Sequence, residues 1–401
     1  MVIHWLRAAA VLLVWTTGAS GQSLPYGPLT VFDGRLTVTG QVDAIVGPAD
    51  DVAFFNYTDY EHNALRMLQL RLAGRYRPAG WLELVADARS EDVERPRVYA
   101  AYVRVHPWRN RRFDIQAGRI PPAFGSFGRR AYALDNPLIG YPLAYQYLTS
   151  LRPDAVPGTA DDLLRMRARG WRSSFPIGSA EAAPGLPLVS AFRWDTGIEM
   201  RWAAGPVEAA ASVTNGTLSD PRLSDNNGGK QIAVRLAVTP RVGLVVGASA
   251  ARGPWLSRDV VPASAGAPPQ TALGLDAEYS RDHWIVRGEM VWSRWALPFA
   301  LWPSTSRDVH ALGAWAEGRY RVTPRLFVAS RVDRLAFSKI AGTLFAGAPV
   351  PWDAPVTRLE TAAGWYLQRN LVARLGVQGN WREAGRLRDR GFVSASLSYW
   401  F

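Results

Sequence analysis

The sequence predicts an all-β protein, a transmembrane antiparallel up-and-down β-barrel of sixteen strands with one long inward-folding loop. Three observations carry this prediction. Segments of about ten residues alternate between apolar and polar side chains along most of the chain, the span a tilted transmembrane strand needs. Their connections alternate between short and long. The final segment alternates up to a terminal aromatic residue, Phe401.

The first residues read as an address. Arg7 precedes a short apolar run from Ala8 to Trp15, and small residues follow to Ala19-Ser20-Gly21. A basic start, a short apolar core and a small-residue site describe a secretory signal peptide over 1–21, leaving a mature domain from Gln22 to Phe401. The run is too short to span a bilayer, and no later run approaches the roughly 18–20 apolar residues of a membrane helix. Yet 48% of the chain is hydrophobic, with 17 Trp, 14 Tyr and 14 Phe, so strands must carry the apolar surface. With no Cys, closure of the hydrogen-bonded sheet replaces disulfides as the cross-link of an exported chain. The net charge is +12, and Lys230 and Lys339 are the only lysines. The arginines are scattered singly rather than clustered, which argues against nucleic acid as a partner and for a lining that faces an aqueous channel.

Strands are predicted near 35–47, 64–77, 80–90, 97–106, 111–120, 190–204, 206–216, 229–239, 242–252, 271–280, 283–295, 309–322, 325–335, 356–368, 371–382 and 390–401. The clearest runs from Arg193 to Trp202. It puts Trp194, Ile198, Met200 and Trp202 on one face, and Arg193, Asp195, Glu199 and Arg201 on the other. Seven short turns, such as Pro78-Ala79, Gly205 and Arg281-Asp282, hold residues that suit tight turns. Eight longer loops alternate with them, and both chain ends fall on the turn side. Even strand number, short periplasmic turns and longer external loops describe a bacterial outer-membrane barrel. A barrel of roughly 16 to 18 strands leaves a water-filled lumen.

In the last strand, Val393, Ala395, Leu397, Tyr399 and Phe401 alternate with Ser394, Ser396, Ser398 and Trp400. Here the sequence resembles the outer-membrane porins of Gram-negative bacteria, which end in a strand of this kind. The resemblance implies that Leu397, Tyr399 and Phe401 form the signal read by the barrel-assembly machinery. It also implies passive diffusion of small hydrophilic solutes, and a homotrimer. The segment Ala117-Gly118-Arg119-Ile120-Pro121-Pro122-Ala123-Phe124-Gly125 resembles the strand-five exit of porins related to the phosphate-selective group. With two lysines, the chain cannot supply that group's lysine-rich ladder, so its solute is not carried over. In sixteen-stranded general porins the loop after strand five enters the lumen, and the longest connection here, 121–189, falls at that place.

That loop is expected either to fold into the lumen as a plug or constriction, or to cap the surface. Residues 159–167 predict a short helix, with Thr159 as its N-cap and Asp161 and Asp162 in its first turn. The candidates for lining the pore and its constriction are Arg71, Arg129, Arg130, Arg193, Arg287, Arg331, Arg358, Asp161 and Asp162. Inward acids, among them Glu83, Asp87, Glu289, Glu317 and Glu360, are expected to pair across strands with many of the inward arginines. The remaining positive field favours anions. Outward aromatics at strand ends, such as Tyr76, Trp202, Tyr279 and Trp284, fit interfacial girdles in contact with outer-membrane lipid.

Catalysis is not expected. Asp308 and His310 share a strand face and can couple, but no nucleophile is marked beside them. Asp225-Asn226-Asn227-Gly228-Gly229 lacks the later Glu of a calcium loop, and no cofactor motif is present. The competing class is a closed or plugged outer-membrane barrel serving as a receptor, adhesin or export component.

Overall fold

A computed structural model describes residues 27–59, 61–108, 112–129, 135–167, 175–181, 183–191, 193–262, 265–340, 347–385 and 387–401. The predicted leader lies outside them. Sixteen strands form the wall. In chain order they are β1 (Leu36–Val46), β2 (Met67–Ala79), β3 (Leu82–Glu91), β4 (Arg97–Val105), β5 (Arg112–Ile120) and β6 (Asp195–Ala204). There follow β7 (Val207–Thr214), β8 (Gln231–Arg241), β9 (Leu244–Pro254), β10 (Pro269–Arg281) and β11 (Trp284–Ala296). The last are β12 (Asp308–Arg321), β13 (Leu326–Phe337), β14 (Val356–Gln368), β15 (Leu371–Arg382) and β16 (Asp389–Trp400). Each pairs antiparallel with its chain neighbour, and β16 returns to β1 from Gln41↔Trp400 to Val46↔Ala395. The all-β barrel is closed, and its strand number is the one the alternation predicts.

The alternation acts as a sorting rule because side chains on a strand point to opposite faces. On β6, Ile198, Met200 and Trp202 are exposed on the outer wall while Asp195 and Glu199 are buried on the inner one. The turn side matches expectation too: Gly205 and Asp282 take positive φ of 53° and 51°, as tight hairpin turns require.

Three features depart from the sequence reading. A short strand, Leu29–Val31, pairs with Leu36–Val38 beside the seam. The sixth strand starts at Asp195, so Arg193 leaves the wall and is exposed at its external end. Strands β4–β7 have 8–10 residues whereas β10–β14 have 12–14, so the wall is low on one side.

The apolar core lies inside the barrel. The connection between β5 and β6 brings Phe124, Phe127, Leu143, Ala144 and Tyr145 into one buried cluster with Val291, Trp295, Trp315 and Leu335 of the wall. It carries a helix α1 (Leu143–Gln146) and the predicted helix α2 (Ala160–Met166). Thr159 accepts from the Asp162 amide while the Asp162 carboxylate accepts from the Thr159 amide, a reciprocal cap.

Candidate pore and constriction

The inward loop is held by wall carboxylates that accept from its backbone. Glu289 on β11 accepts from the amides of Ser126 (3.2 Å) and Phe127 (3.3 Å) and from the Tyr145 hydroxyl (2.6 Å). Glu360 on β14 accepts from the amides of Ile139 (3.1 Å) and Gly140 (2.7 Å), and Asp333 on β13 from that of Leu143 (3.3 Å). Arginines satisfy the loop's carbonyls: Arg331 donates to Gly140 (3.0 Å) and Arg358 to Tyr141 (3.0 Å), while Arg358 also ties in the first loop through the Phe55 carbonyl (2.6 Å). Buried backbone must be paired, and here the wall supplies both signs of partner. Three inward glycines leave room for the loop. A Cβ on Gly274 would lie 2.8 Å from Phe124, one on Gly313 2.8 Å from Ala144, and one on Gly376 3.4 Å from Ile139. The loop is thus an inward structure docked on β9–β15, not a surface cap.

The opposite wall, β2–β6, keeps a polar inner face. Glu83 is almost fully buried and receives three guanidinium groups, from Arg77 (2.9 Å), Arg75 (3.1 Å) and Arg104 (3.4 Å). Arg75 and Arg77 are 51% and 57% exposed while Glu83 is 2% exposed, so water meets the cations and not their counter-ion. Arg71 bonds Asp87 (2.9 Å), and Arg201 lies 3.2 Å from buried Glu199. Higher up, the Arg89 guanidinium stacks 3.3 Å from the centroid of the Tyr99 ring. The Tyr99 hydroxyl donates to the Ala191 carbonyl and its ring packs against Trp194.

Over this low wall lies an external cleft of about 650 Å³, lined by Arg89, Arg95, Arg119, Arg193 and Arg222 among others. A hollow of about 710 Å³ at the turn-side end is lined by Asp114, Arg201, Glu208 and Arg235. Beside the external cleft, His62 in the first loop has its Nδ1 2.9 Å from Asp59 and its Nε2 3.6 Å from Glu94 and 4.0 Å from Glu91. The bond to Asp59, then the charges of Asp59, Glu91 and Glu94, push its imidazole up from 6.5 to about 9 against the opposing effect of burial.

The sequence-predicted lining residues divide. Arg71 faces the polar wall, 23% exposed. Arg287 is 17% exposed, bonded to Glu278 (3.0 Å) and to the Asp135 carbonyl (3.2 Å) at the loop's edge. Arg193 lies in the external cleft. Arg331 and Arg358, expected at a water-filled passage, have no exposed surface. Arg331 is enclosed by Glu360 (2.9 Å), Asp333 (3.0 Å) and Glu317 (3.3 Å), because the loop covers that wall. Asp161 is buried in the first turn of α2, away from any open passage, and Asp162 spends its carboxylate on the amides of Gly158 and Thr159 as part of the helix cap. The side chains of Arg129 and Arg130 lie outside the described residues. Leu397 and Tyr399 face outward, and Phe401 exchanges backbone bonds with Gly40 across the seam (3.0 and 3.2 Å). Asp308 and His310 do couple, at 2.8 Å, on the outward face.

Sequence reasoning missed Arg77, the Arg89–Tyr99 stack and the anchoring role of Glu289 and Glu360. The inward glycines at 274, 313 and 376 were the available signal for the anchors, since small inward residues mark where something packs against a wall.

No protein-family model matches the chain, and no curated protein matches it. Among solved structures it is similar to the anion-selective porin from Comamonas acidovorans (TM-score 0.56, 12% identity, 91% of this chain and 99% of that one). It is also similar to OmpF of Salmonella typhi in complex with daunomycin (TM-score 0.54, 11% identity, 93% and 100%). A third is OmpT of Vibrio cholerae in a trimer form (TM-score 0.51, 9% identity, 91% and 99%). At these identities the likeness is one of fold: the chain has the sixteen-stranded architecture of outer-membrane porins.

Proposed function

We propose that the chain is an outer-membrane porin, a water-filled channel for passive diffusion of small hydrophilic and preferentially anionic solutes. One observation supports the anionic preference above the others: the exposed Arg75 and Arg77 share, with Arg104, a single buried carboxylate, Glu83. An excess of cationic groups in a confined lumen acts within a Debye length of about 8 Å, where low-dielectric walls focus its field. The solved structures of the same fold include an anion-selective porin and a trimer form, which supports the preference and a homotrimer as the assembly. Barrel-assembly machinery would read Leu397, Tyr399 and Phe401.

Planar-bilayer measurement in a salt gradient tests this reading. The wild-type reversal potential should indicate anion preference, larger at low salt. Arg75→Gln with Arg77→Gln should move it toward cations. A wild-type pore that prefers cations ends the anionic claim, and a barrel without conductance ends the channel claim in favour of a closed receptor.

A further inference from the structure

The lipid-facing surface holds a feature that the channel does not use. Among the described residues, outward positions on β1–β3, β6 and β7 carry no charge. On the flank β9–β13 the external ends do. Arg252 on β9 pairs in register with Thr271 on β10, Thr271 with Arg294 on β11, and Arg294 with His310 on β12. The residue one outward step below each, Ala250, Leu273, Trp292 and Leu312, is apolar. The row therefore sits at the upper border of the apolar band. Strands lie about 4.8 Å apart, so the two arginines flank the Thr271 hydroxyl as neighbours on either side.

The row is built unequally. Asp308 accepts from Arg294 through Nε (3.1 Å) and Nη2 (2.6 Å) and lies 2.8 Å from His310 Nε2. This fixes the Arg294 fork while leaving it 49% exposed. Arg252 is exposed, and no carboxylate among the described residues pairs with it. The register thus sets two arginines on either side of a threonine at headgroup depth, with Asp308 paired to Arg294 on the side away from Arg252. Arginine forks suit phosphate oxygens, and basic residues at a membrane surface attract anionic lipid.

We propose that Arg252, Thr271 and Arg294 form a cradle for the phosphate of an anionic lipid headgroup in the external leaflet. The inference takes its orientation from the membrane reading above. Arg252 and Arg294 share the phosphate charge, Thr271 donates its hydroxyl, and the acyl chains lie along the apolar face beneath.

Native mass spectrometry of the folded barrel in detergent, with phosphatidic acid or phosphatidylcholine added, tests it. The wild type should retain phosphatidic acid in preference to phosphatidylcholine. Arg252→Gln should weaken that retention about fivefold, the effect of removing one basic residue near an anionic surface. Arg252→Lys should keep most of it, and Thr271→Val should reduce it further in the Gln background. Heat-modifiable migration on gels confirms that each variant is folded. Equal retention of both lipids, or an unchanged Arg252→Gln, overturns the proposal. Displacement by inorganic phosphate at matched concentration also overturns it, because the site would then be one for free anions. Failure of the barrel to insert into vesicles would instead count against the membrane reading.

Discussion

Arg331 shows how one side chain decides whether the lumen wall is wet or dry. It is buried with three carboxylates, Glu317, Asp333 and Glu360, and a loop carbonyl around it. Removing one member of such a group leaves uncompensated charge, at a cost of about 3–5 kcal/mol. Arg331→Met should therefore lower the urea midpoint of the barrel in detergent far more than Arg75→Met, which removes an exposed side chain. Equal midpoints would show that Arg331 is not buried by the loop. His62 makes a pH-dependent contribution of the opposite character. Its folded value of about 9 lies above the ordinary 6.5, so the stabilisation is fully present below 6.5 and is lost as pH rises through about 9. The melting temperature of the wild type should exceed that of His62→Gln at low pH and converge on it above about 9. A gap that widens with pH would be the wrong sign.

The inward loop is the element on which both the core and the proposed channel depend. Its backbone is docked by Glu289, Glu360 and Asp333, and its side chains sit where Gly274, Gly313 and Gly376 leave space. Gly313→Val should cost about 1–3 kcal/mol by overpacking against Ala144, and should loosen α1 from β12. The expected result is a lower melting temperature together with noisier single-channel current. Wild-type current and stability in this variant would place the loop elsewhere. The existence and inward path of this loop were legible in its length, its apolar content and its place after the fifth strand. Its docking was not, because bonds such as that from Tyr145 to Glu289 join residues 144 positions apart.

Closure is a property of the whole molecule. The seam between β16 and β1 has six paired positions, from Gln41↔Trp400 to Val46↔Ala395, fewer than most neighbouring pairs. Phe401 extends it by bonding Gly40, and a Cβ on Gly40 would overlap the Phe401 ring. Gly40→Leu should thus slow folding into the heat-modifiable form, and deleting residues 390–401 should abolish it by leaving β1 and β15 without their partner. Normal yields of folded protein after the deletion would refute closure through this strand. Topology adds a second whole-molecule test. Cysteine at Leu223, 66% exposed on the loop side, should react with an impermeant reagent on intact cells, whereas one at Val242, 98% exposed on the turn side, should not.

The sequence by itself determined the strand number, the two faces of the wall, the sidedness of turns and loops, and helix α2 with its cap. These follow from local periodicity and from residues a few positions apart, since a strand exposes its pattern at period two and a cap at period three. Only the tertiary structure decided which inward charges meet water. Arg71, Arg331 and Arg358 share the same inward parity. The loop covers β13 and β14 and leaves β2 open, so one arginine faces the polar wall while the other two are sealed in the core. That difference arises from packing between segments far apart in the chain, which no local pattern encodes.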